Sequence, residues 1–137
     1  MSGAALVLSI TALTWLIAQT TKYLVGSAHH RRRKFLDTGG MPSVHAAVIV
    51  GVTTAIALEY GTDDPAFALG VIVSIIVMHD AVRVRWPLGE TAIRVNELAR
   101  RSKLPTVAVF RGHRTREVLA GAAYGGVLAW GLWQLLT

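Results

Sequence analysis

Two histidines and a glutamate have the spacing that could do chemistry. In His113-Arg114-Thr115-Arg116-Glu117 an imidazole and a carboxylate sit four residues apart, on one face of any helix that starts there. A carboxylate on one ring nitrogen fixes the tautomer and raises the basicity of the other nitrogen, as a nucleophilic or acid-base histidine requires. The same spacing is also that of an ordinary ion pair at a helix start. A second element, Thr38-Gly39-Gly40-Met41-Pro42-Ser43-Val44-His45, runs from a flexible glycine pair into a Pro-Ser helix start. Ser43 suits a helix cap, free N–H groups there suit an anion such as phosphate, and His45 in the first turn faces that anion. The plain alternative is a cap with an incidental histidine. A third, His79-Asp80-Ala81-Val82-Arg83-Val84-Arg85, closes an apolar run. Asp80 at a membrane boundary needs a partner, and Arg83 is one turn away; otherwise Arg83 and Arg85 snorkel to headgroups. Gln19 and Lys22 share a helix face aimed at the same place or at the interface. A third reading makes His45, Asp80, His113 and Glu117 a metal-ligand set.

Positioning these groups falls to apolar helices. Of the 137 residues 53% are hydrophobic, and the mean hydropathy of +0.47 lies above the range of soluble chains. Four runs, Ala4 to Val25, Ser43 to Tyr60, Pro65 to Val82 and Thr115 to Leu136, approach the ~20 residues that cross a bilayer core. Gly61 to Pro65 breaks the second run from the third as a tight hairpin. Between the third and fourth runs, Glu90 to Lys103 has the spacing of an amphipathic surface helix, bracketed by Pro87 and Pro105. The expected fold is all-α, a single membrane domain over 1–137 of about four transmembrane helices with a surface helix before the last.

All 14 lysines and arginines fall at or after the end of the first run, between the third and fourth, or at the start of the last. The intervening hairpin carries only Glu59, Asp63 and Asp64. Because cytoplasmic loops are enriched in Lys and Arg, this places both termini outside and the site on the cytoplasmic face of the cell membrane. A net charge of +6 on such a chain fits anionic lipid or a phosphorylated substrate rather than nucleic acid, and Arg31 to Lys34 fits an anionic headgroup surface. With no cysteine there is no disulfide, thiolate nucleophile or thiolate metal site. Residues 1 to 21 carry no basic residue, so the first run lacks the n-region of a secretory signal and is expected to be retained. Gly121 with Gly125, and Ala122 with Gly126, form a small-residue face on the last helix that allows close helix contact. Four short helices enclose little volume, which leaves room for a homodimer.

At the T-G-G-M-P-S-x-H stretch, at M-H-D-A-V-R-V-R and at G-H-R-T-R-E-V-L-A-G, the chain resembles the divergent branch of the type 2 phosphatidic acid phosphatase superfamily, related to acid phosphatases and vanadium-dependent haloperoxidases. In that superfamily a late histidine attacks phosphorus, an acid four residues on orients it, and the histidine of a P-S-G-H motif protonates the leaving group. The resemblance implies His113 as nucleophile, Glu117 as its orienter and His45 as general acid. Ser43, Gly39 and Gly40 would then lie at the phosphate with Lys22, Asp80, Arg83 and Arg111 around it, and no metal or other cofactor would be needed. The chain departs from the pattern at several positions. Val107 stands where the superfamily has its phosphate-binding arginine and Thr106 where it has the preceding serine. Val44 replaces the glycine of P-S-G-H, Glu117 replaces aspartate, and the opening K-x6-R-P element is absent, leaving Lys22 and Arg32 as loose counterparts.

The function expected from these features is hydrolysis of a lipid phosphate ester or diphosphate through a phosphohistidine. A non-catalytic protein that binds or moves an anionic lipid or small anion is the alternative.

Overall fold

The computed structural model describes residues 2–29, 41–109 and 112–137. Within them lie α1 (Gly3–His29), α2 (Val44–Tyr60), α3 (Pro65–Arg83), α4 (Arg85–Arg101) and α5 (Thr115–Leu136), with no strand among the described residues. The protein is all-helical, as expected. Gly3–Val25, α3 and α5 are long and apolar enough to cross a membrane, and α2, at 17 residues, lies at the lower end of spanning lengths. Gly39, Gly40, Arg111 and the run Arg31 to Lys34 lie outside the described residues.

Local chemistry explains the helix ends. Ser43 is the N-cap of α2, its hydroxyl accepting from the Ala46 N–H at 3.5 Å. Gly61 closes α2 at φ +89°, a conformation that costs a residue without a Cβ little. Asp64 caps α3 by accepting from the Ala66 N–H at 2.8 Å, and Pro65 opens the helix where its missing N–H costs nothing. The surface helix departs from the expected boundary. It begins at Arg85, not Glu90, with only Val84 between it and α3. Pro87 therefore sits inside its first turn and does not bracket it, because the first N–H groups of a helix have no intrahelical partner to lose.

The bundle is built around α2, which packs on α1, α3 and α5. Its buried residues are Val44, Ala46, Ala47, Gly51, Thr53 and Ala55, mostly small, so neighbouring backbones come close. The glycine face of α5 is used here: a Cβ on Gly121 would run into the Ser43 carbonyl, and one on Gly125 into that of Ala47. Large side chains point outward, among them Leu8, Trp15, Leu69, Ile72, Ile76, Leu119 and Trp130. Small residues inside and large apolar ones outside is the arrangement a lipid solvent permits. Most hydroxyls inside the helices are satisfied locally: Thr11, Thr20, Thr21, Thr54 and Ser74 each donate to a carbonyl one turn back, whereas the buried Thr14 hydroxyl meets no partner among the described residues.

Among the helices α4 packs only against α3. It buries Gly89 and Asn96 and leaves Leu88, Val95 and Leu98 exposed. Asn96 holds the return segment with two bonds, its Nδ2 donating to the Val107 carbonyl at 2.9 Å and its Oδ1 accepting from the Val107 N–H at 2.8 Å.

Candidate active site

One end of the bundle gathers the start of α2, the end of α3, the elbow into α4, the start of α5 and the late part of α1. Two backbone bonds strap it together. The Ser43 N–H donates to the Glu117 carbonyl at 3.2 Å, and the His113 N–H donates to the Ala81 carbonyl at 3.4 Å. Gly112 lies against the Arg85–Trp86 backbone, where a Cβ would meet the Trp86 nitrogen. The Arg114 guanidinium lies over the Trp86 ring, 5.3 Å from its centroid. Beneath these, Ala46, Ala81 and Val118 form an apolar floor, with Met78, Val82 and Ala122 packed against it. His113 thus depends on three other helices for its place.

His113 is buried, and its Nδ1 lies 3.3 Å from Glu117 Oε2. The same carboxylate oxygen accepts the Arg114 N–H at 3.1 Å, so one residue serves both the helix end and the imidazole. Burial pushes the His113 pKa below the ordinary histidine value; Glu117 opposes this, while Lys22 and His45 reinforce it. Burial thus favours the neutral ring, and in the tautomer whose Nδ1 donates to Glu117 the unprotonated nitrogen is Nε2. His45 is exposed in the first turn of α2, within electrostatic range of Arg85 and Lys22. Lys22 and Gln19 are buried on α1, and Lys22 is also within range of His113.

His45, His113, Glu117 and Lys22 thus share one end of the bundle. Ser43 is there too, fully buried with its hydroxyl turned to the Ala46 cap bond. Asp80 pairs with Arg85, whose Nε donates to Asp80 Oδ2 at 2.7 Å, and not with Arg83 as the i, i+3 spacing suggested. The helix is interrupted at Val84, between the two arginines, which lets the i, i+5 pair meet. Arg83 is exposed and has no ion pair among the described residues. No three His, Asp or Glu side chains among the described residues come together as metal ligands, so the four-residue metal set is not assembled. Sequence reasoning passed over Asn96 and left Arg85 undecided. Pro87, two residues beyond Arg85, was the available sign of a fresh helix start; nothing marked Asn96.

Fold and site together define a multi-pass helical membrane protein with a histidine–carboxylate pair at one end of its bundle. The family model described as the Divergent PAP2 family matches residues 4–128, and the chain belongs to that family. It is similar to the uncharacterized membrane protein YuiD of Bacillus subtilis (strain 168), with 34% identity over 109 residues covering 67% of this chain and 69% of that protein. No solved structure matches the chain.

Proposed function

We propose that this protein is a membrane phosphatase that removes phosphate from a lipid headgroup at the cytoplasmic leaflet. The observation that carries the reading is the buried His113 paired with Glu117, in electrostatic range of His45 and Lys22. Neutral His113 attacks phosphorus through Nε2 as the P–O bond to the lipid breaks. Glu117 accepts a hydrogen bond from Nδ1–H and stabilises the positive charge the ring acquires. His45 gives its proton to the departing oxygen, then takes one from the water that attacks the phosphohistidine, releasing phosphate and regenerating both rings. Lys22 stabilises the charge on the phosphoryl oxygens. Ser43 serves this scheme by setting where α2 and its first-turn N–H groups begin. A phosphate monoester or a diphosphate of a lipid fits the same chemistry.

The test is phosphate release by the detergent-purified protein from lipid monophosphates and diphosphates with chelator present. Release is expected from the wild type, with a loss of at least about 10³-fold in His113→Ala and about 10²-fold or more in His45→Ala. Full activity in both folded variants overturns the reading. One observation favours a second reading, an anionic-lipid binding or transport protein: the position of the superfamily's phosphate-binding arginine holds Val107, which is exposed and held by its backbone. That reading predicts lipid binding with no release by the wild type.

A further inference from the structure

Arg85 is a charged group at the mouth of the site that the scheme above leaves unused. Asp80 takes its Nε at 2.7 Å, and the two terminal nitrogens meet no acceptor among the described residues. The side chain is 60% exposed, so those nitrogens are open. Its position is tied to both histidines. Gly112, the residue before His113, is seated on the Arg85–Trp86 backbone, and Arg85 lies within electrostatic range of His45.

We propose that Arg85 contacts the substrate phosphate, supplying from the α3–α4 elbow the guanidinium that is missing at Val107, and that Asp80 is the positioning residue that holds it there. This rests on the phosphatase reading and deepens it by assigning a phosphate ligand. A guanidinium bound at Nε keeps its terminal N–H groups for a second anion, and planar, forked donation is the geometry that phosphate oxygens accept. Asp80 itself is an anion and repels phosphate, so its contribution passes through Arg85. An exposed surface ion pair adds little stability, which makes orientation the more valuable product of this one.

The experiment uses the full chain in detergent with two readouts: steady-state phosphate release, and calorimetric binding of dioctanoyl phosphatidic acid on a His113→Ala background. Arg85→Gln is expected to lower kcat/KM about 10²-fold and to weaken binding roughly 10- to 100-fold. Arg85→Lys restores charge without the fork and recovers only part of the loss. Asp80→Asn raises KM about tenfold with a smaller change in kcat. Arg94→Gln, on the exposed face of α4, stays within about twofold of wild type. If Arg85→Gln retains wild-type kcat/KM and affinity while His113→Ala is dead, the Arg85 assignment falls and the phosphatase reading stands. The same holds if Arg83→Gln carries the loss instead. If wild-type protein releases no phosphate, the phosphatase reading falls, and the binding arm still decides whether Arg85 holds the phosphate group. Losses that merely track a lower melting temperature, with unchanged kinetics in the folded fraction, overturn the assignment.

Discussion

Glu117 shows how much one side chain can be asked to do. Its Oε2 meets both His113 Nδ1 and the Arg114 N–H, so replacing it affects chemistry and helix start together. The carboxylate raises the pKa of a histidine that burial lowers. Removing it in Glu117→Gln therefore drops that pKa further, and the acid limb of kcat/KM moves to lower pH. In the wild type that limb is expected below the ordinary histidine value near 6.5, as read from the pH profile of phosphate release. A fall in kcat of about 10²-fold is expected alongside. A pH profile that shifts upward in the variant would contradict the His113–Glu117 pairing. At Ser43 the cap bond is long, at 3.5 Å. Ser43→Ala should cost about 1 kcal/mol of stability, read by thermal unfolding in detergent.

Between elements, the close crossing of α2 and α5 is what brings the two histidine-bearing helix starts together. Gly125 lies against the Ala47 carbonyl with no room for a Cβ. Gly125→Leu should therefore push the helices apart and destabilise the fold by at least about 1–3 kcal/mol, whereas Ala123→Leu, on the exposed side of α5, should leave the melting temperature near wild type. Because Gly121 and Gly125 are already occupied by α2, a second copy of the chain has to meet a different face. The return segment depends on Asn96, whose amide makes both of its bonds to Val107. Asn96→Ala removes both bonds to the exposed Val107 backbone, a cost of roughly 0.5–1.5 kcal/mol for each. Faster hydrogen exchange at Val107 than in wild type is the expected signature, with α1 and α2 protected as before.

For the molecule as a whole, the arrangement of charge proposes an orientation. Basic residues collect at the end that holds His45 and His113, and the opposite hairpin carries Glu59, Asp63 and Asp64. The chain has no cysteine, so single cysteines can report sidedness without background. With both basic loops in the cytoplasm, Asp63→Cys in intact cells should react with a membrane-impermeant maleimide, and Lys103→Cys should react only after permeabilisation. The reverse pattern would place the site on the outer face and move the proposed substrate to the other leaflet.

Helix number, the α2–α3 hairpin and both ends of α5 were legible in the sequence. They depend on local and one-dimensional quantities: apolar length, turn residues, caps and charge. His113 with Glu117 was legible for the same reason, since an i, i+4 pair needs only one helix. What tertiary structure decided was every relation between helices. It paired Asp80 with Arg85 across the interruption at Val84, seated Gly112 on the start of α4, spent the α5 glycines on α2, and set Asn96 against Val107. Periodicity records which residues share a face of one helix, but not which backbone will close against that face.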